Sequence, residues 1–203
     1  MTEYIVESIK PGMTETLDKA WWMGNSKGEF TVKSTDHLNY KPNLYFHIVK
    51  WEAPDEGWVK CNTDGARKGN PGESSYGFCL RNSTGDLLYA EAQCIDITTN
   101  IEAEIIAMWN ALKYCKRQGI NNIILETDSL SLKNMIMRDW KIPWSLTEKI
   151  EEIQKIMANM HIQVMHIFRE ANELADCIAN LAIIQEEKQH YDSFHSLPSR
   201  VRR

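Results

Sequence analysis

Alternation of apolar and polar positions begins at Trp58. Val59, Cys61 and Thr63 alternate with Lys60 and Asn62, the period of a half-buried strand. Two more runs, Tyr76–Arg81 and Leu87–Cys94, read the same way. Asn82-Ser83-Thr84-Gly85-Asp86 between them has the composition of a hairpin loop. The period then changes. Ile101, Ile105, Met108, Leu112 and Cys115 recur at helical spacing, and Gly119 supplies a stop. Asn121–Thr127 is a short apolar run that predicts a buried strand. Helices are predicted over Ser129–Met137 and Ser145–Met160, on either side of Ile142-Pro143-Trp144, with Ser145-x-x-Glu148 spaced to cap the second. His161–Phe168 alternates again, and Ala171–Ile184 closes the pattern as a helix. The order βββαβαβα contains the long crossings that parallel strands require.

Residues 1–50 lack comparable periodicity. Trp21–Leu38 predicts a short helix or strand, a turn at Gly24–Gly28 and a strand around Phe30–Val32. A boundary near Trp51 divides the chain into an N-terminal remnant or linker (1–50), a domain (51–184) and a flexible tail (185–203). Composition fits an ordinary globular protein, with 43% hydrophobic and 25% charged residues among 203. No stretch reaches the length of a membrane span, and MTEYIVESIKPG lacks the order of a secretory signal. An intracellular monomer is expected, nuclear or cytoplasmic, with no membrane partner. The five cysteines are scattered without C-x-x-C spacing, which argues against zinc and against a disulfide framework.

Charge changes the picture more. The net charge is −5, and residues 51–184 carry 13 Lys/Arg against 19 Asp/Glu. Bound cations at a carboxylate site would offset much of that deficit, so acidity does not exclude a polyanionic partner. Asp64, followed by Gly65, reads either as a turn former or as a ligand at a strand's end. Asp128 stands in the same place on the next parallel strand, where it could also cap a helix. If the two strands are neighbours, both carboxylates meet at the carboxyl edge of the sheet, where α/β proteins hold ligands. On the long helix, Thr99-Asn100-Ile101-Glu102 has capping-box spacing, which gives Glu102 a structural task. Glu104 shares a face with Ala107 and Ala111 and points toward the strands. On the last helix Asn172, Asp176 and Asn180 lie on a face apart from the core stripe. Spacing alone favours a solvated face over a functional one.

Four motifs in this order and spacing, WEAPDEGWVKCNTDGARKGNPG, AEIIAMWNAL, LETDS and HIFREANELADCIANLA, resemble the type 1 ribonuclease H domain. The nearest variety is the retroelement-derived, reverse-transcriptase-like form abundant in plants. The likeness covers residues 51–184, and DKAWWMGNSKGEFTVKS resembles the segment that precedes a zinc-binding region in related polyproteins, without its Cys and His ligands. The resemblance implies an α/β RNase H-like fold, a mixed five-stranded sheet with helices on both faces. It also implies endonucleolytic cleavage of the RNA strand of RNA–DNA hybrids, leaving 5′-phosphate and 3′-hydroxyl ends. Carried over, Asp64, Glu104, Asp128 and Asp176 become the ligands of two Mg²⁺ ions, with Mn²⁺ as a substitute. His166, six residues before Asn172, becomes a mobile histidine assisting proton transfer or product departure. Gly69, Asn70, Thr99, Asn100 and Asn172 become substrate contacts, with Asn70 suited to a 2′-hydroxyl and Thr99 and Asn100 to a DNA phosphate. The basic protrusion of some bacterial members has no counterpart between Asp128 and His161.

Three other readings compete. A domesticated, catalytically silent nucleic-acid-binding or interaction module would keep the fold and share these motifs. A 3′–5′ exonuclease wants Asp-x-Glu on the first strand, and Asp64-Gly65-Ala66 lacks the Glu. An integrase-like site would end in Glu, where this chain has Asp176.

Overall fold

The computed structural model describes residues 4–9, 44–69, 71–185 and 188–202. The chain divides into two compact units, Met1–Val49 and Lys50–Arg203. In the first, β1 (Tyr4–Ile9) pairs antiparallel with β2 (Leu44–Val49) in a two-stranded ribbon. Neither strand is predicted by the sequence, because short apolar runs such as YIVESI carry no distinctive period. The features expected between Trp21 and Leu38 lie outside the described residues.

The second unit holds a six-stranded mixed sheet. Its strands are β3 (Val59–Gly69), β4 (Gly72–Arg81), β5 (Leu87–Thr98), β6 (Asn122–Thr127), β7 (His161–His166) and β8 (Gln189–Tyr191), in spatial order β7-β6-β3-β4-β5-β8. The helices are α1 (Asn100–Arg117), α2 (Leu130–Ile136), α3 (Thr147–Met157) and α4 (Glu173–Gln185). The predicted order βββαβαβα is therefore present, with a sixth strand added at the end.

Period-2 alternation sorts the two faces. Tyr76, Phe78 and Leu80 of β4 join Cys61, Ile123 and Leu125 in a core with the apolar stripe of α1 (Ile105, Met108, Leu112 and Cys115). On the other face, Cys79, Ala90 and Ala92 pack with Ile178 and Ala182 of α4. Gly77 lets α4 come close: a Cβ there would stand 2.8 Å from the Ala179 amide nitrogen.

Two expectations need correction. The tail was expected to be flexible, yet β8 pairs antiparallel with β5, and Tyr191 and Leu197 are buried against Leu87 and Ile178. That contact covers an otherwise open sheet edge. Ser145 does not cap α3. A short 3₁₀ turn, Trp144–Leu146, leads into that helix, and Leu146 occupies the cap position with no side-chain hydrogen bond.

Candidate active site

Parallel pairing between β3 and β6 ends at Thr63 opposite Thr127. The next residue on each strand is an aspartate, so Asp64 and Asp128 stand side by side where the two strands part. Asp64-Gly65 is not a turn. The antiparallel ladder with β4 carries β3 on to Gly69, with Gly65 opposite Tyr76. Gly65 instead makes room for α1, whose first turn crosses it.

That first turn fixes the two glutamates in different roles. Glu102 completes a capping box: its carboxylate accepts the Thr99 amide at 2.9 Å, and the Thr99 hydroxyl accepts the Glu102 amide. These hydrogen bonds hold its carboxyl below the ordinary range. Glu104 turns inward and is 4% exposed. Carboxylate oxygens of Asp64, Glu104 and Asp128 lie within 4.8 Å of one another, and Oε2 of Glu104 and Oδ1 of Asp128 are buried with no hydrogen-bond partner.

Crowded acids out of water favour their protonated forms. Burial first, and then the charges of Asp128 and Asp176, push Asp64 up to about 8. Burial, followed by the Asp64 and Asp128 charges, raises Glu104 well above the carboxylate range. Asp128 is raised chiefly by burial, against the pull of Arg169 and of its own backbone amide.

Asp176, on the first turn of α4, borders Asp64 but stands outside the threefold cluster. Its Oδ1 accepts hydrogen bonds from Arg169 at 2.8 Å and from Asn180 at 3.0 Å. Arg169, which the sequence reading missed, counters the charge of Asp64, Glu104 and Asp128 as well. His166 is level with Thr127 in the β6–β7 pairing, and its Nε2 lies 3.1 Å from the backbone oxygen of Asp128. The imidazole is half-buried at the rim of the cluster.

The expected substrate contacts divide. Gly69 is exposed with φ +87, a left-handed conformation suited to glycine. Asn70 lies outside the described residues. Thr99 and Asn100 line a cleft of about 480 Å³ shared with Ser129, Ser131 and Pro143, and Asn100 accepts a hydrogen bond from Arg67. Asn172 is different: it is 1% exposed, and its Nδ2 donates to the backbone oxygen of Thr63 at 3.0 Å. Its side chain therefore turns to the protein interior rather than to the surface where a substrate contact is expected.

A mixed sheet of this order, with acids gathered where its parallel strands part, defines a ribonuclease H-type domain. The chain belongs to the reverse transcriptase-like family, which matches residues 62–182. It is similar to a putative ribonuclease H protein of Arabidopsis thaliana, 31% identical over 142 residues. That match covers 66% of this chain but only 22% of the relative's length. Among solved structures, RNase H1 of the halophilic archaeon Halobacterium salinarum NRC-1 superposes with a TM-score of 0.61 at 28% identity. It covers 63% of this chain and 98% of its own. LC11-RNase H1, crystallised in complex with an RNA/DNA hybrid, superposes with a TM-score of 0.59 at 28% identity, over 63% of this chain and 97% of its own.

Proposed function

We propose that this chain hydrolyses the RNA strand of RNA–DNA hybrids endonucleolytically, with Asp64, Glu104, Asp128 and Asp176 as ligands for two divalent cations. The observation that carries the reading is the convergence of Asp64, Glu104 and Asp128, with two buried carboxylate oxygens left without a partner. Unpaired oxygens in a buried acidic cluster are costly, and a hard dication satisfies them. An all-oxygen donor set suits Mg²⁺, with Mn²⁺ as a substitute. Bound there, such cations supply an activated water and stabilise charge on the attacking and leaving oxygens.

The chain's own groups do the rest. Asp64 is held rigidly by its ladder to β4, so its carboxylate is aimed before substrate arrives. Asp176 reaches the site from α4, and its grip on Arg169 must loosen for it to serve as a ligand. Arg169 meanwhile lessens repulsion among the acids. His166, at the rim, can accept a proton from water or give one to the departing oxygen. The exposed backbone at Gly69 and the cleft at Thr99 and Asn100 offer surfaces for sugar and phosphate on either side. The silent-module reading draws no support from these residues, since none of the four acids is missing.

Incubation with an end-labelled RNA–DNA hybrid, in Mg²⁺ and in EDTA, tests the reading. The RNA strand should be cut only with Mg²⁺, while single-stranded RNA and duplex DNA stay whole. An RNA strand left intact in both Mg²⁺ and Mn²⁺ would overturn it.

A further inference from the structure

On the α4 side of the sheet, apolar packing gives way to a buried polar cluster. Asn62, fully buried, is its hub. Its Oδ1 accepts from Arg81 at 2.7 Å and from the Trp51 indole N–H at 3.3 Å. Its Nδ2 donates to Glu126 at 2.8 Å and faces Asn172 Oδ1 at 3.3 Å. Lys60 completes the cluster with a 2.9 Å ion pair to Glu126, and the Trp51 ring covers the Arg81 guanidinium at 3.5 Å. None of these groups belongs to the acidic cluster, and apolar side chains of similar volume could fill the same space with comparable stability.

The connections point to another use. Asn172 donates to the backbone oxygen of Thr63, the residue before Asp64. Its own backbone oxygen accepts the amide of Asp176 at 3.2 Å. Glu126, two residues before Asp128, receives the Asn62 amide on the same strand face. The cluster therefore joins β3, β6 and the start of α4 immediately behind three of the four carboxylates. Arg81 Nε is left without a partner, but the directional hydrogen bonds of Asn62 and Asn172 still fix one arrangement more sharply than interchangeable apolar contacts can.

We infer that Asn62 and Asn172 are positioning residues, which tie the segments bearing Asp64, Asp128 and Asp176 into the spacing that divalent cations require. The inference rests on the cation-dependent reading of the site. Trp51, outside the stretch that matches the family, extends the device by closing the cluster from solvent.

Asn172→Ser keeps a small polar residue before α4 but cannot span the distance to Thr63. In the full chain, Mn²⁺ binding by titration calorimetry should weaken about tenfold, in line with losses seen when groups that orient metal ligands are removed. On a hybrid substrate kcat should fall by about the same factor with KM little changed. Trp51→Phe is a milder probe, because it keeps the ring over Arg81 and removes one hydrogen bond. Its Mn²⁺ affinity should drop several-fold, and it serves alone if Asn172→Ser does not fold. A lower Tm with wild-type Mn²⁺ affinity and kcat would overturn the inference and leave a packing role. A raised KM with unchanged kcat would overturn it in favour of substrate contact. Wild-type protein that binds no Mn²⁺ would instead defeat the functional reading, and this inference with it.

Discussion

A Cβ placed on Gly65 would stand 2.5 Å from the backbone nitrogen of Glu104. The closeness of β3 and α1 at this point is what brings the Glu104 carboxylate beside Asp64. Contacts under 3 Å with backbone cannot be relieved by a rotamer change, so Gly65→Ala must move the helix. Destabilisation of about 1–3 kcal/mol is expected, the usual cost of overpacking. Hybrid cleavage should fall far more than stability does. Urea denaturation and a cleavage assay on the same preparation check this, and wild-type activity would mean that the distance from Glu104 to Asp64 is not critical.

Glu102 and Glu104 make a paired test. Glu102→Gln retains a side chain that a capping box accepts, so it should cost about 1 kcal/mol or less and leave turnover intact. Glu104→Gln should abolish cleavage while the protein stays folded. The reverse pattern in kinetics and thermal melts would show that the glutamates were assigned the wrong way round.

Much of this division was legible beforehand. Thr99-x-x-Glu102 announces a cap from spacing alone, and two strands each ending their parallel run in an aspartate announce a shared edge. What spacing cannot carry is enclosure. Asn172 sits on a polar helical face and reads as exposed, but the strand face below it is also polar, so the two satisfy each other in the interior. Arg169 was missed because nothing in its local sequence marks it as the partner of Asp176. Strand β8 was missed for a simpler reason. Three residues have no measurable period, and their pairing is decided by the open edge of β5.

Stability should depend on pH with a definite sign. Asp64 is raised from 3.8 to about 8 in the folded protein. The native state thus holds a proton that the unfolded chain releases in the window between those values. That contribution is complete below about pH 4 and is lost as pH rises through about 8. Glu104 and Asp128 shift in the same direction. In EDTA, the urea midpoint should therefore fall between about pH 6 and pH 8.5, and saturating Mg²⁺ should reduce or reverse the fall. Midpoints that rise with pH in EDTA would contradict the burial and crowding of the three acids.

His166 makes no contact with the carboxylate oxygens of the cluster that would mark it as a ligand. Its ring nitrogen faces the Asp128 backbone instead. His166→Ala should slow turnover by about 10²-fold or more if the imidazole moves protons. Mg²⁺ affinity and hybrid affinity should change little. Unchanged turnover with a lowered Tm would show that the ring only packs against Phe168, 6.2 Å away edge-on.

The most direct measurement compares wild-type protein with Asp64→Asn on a hybrid labelled in its RNA strand, in Mg²⁺. The wild type should release RNA fragments with 5′-phosphate and 3′-hydroxyl ends, and none in EDTA. Asp64→Asn should remain folded but cleave slower by about a thousandfold or more, the scale expected if it removes one of the proposed cation ligands. Turnover by Asp64→Asn close to that of the wild type would contradict the account at its centre.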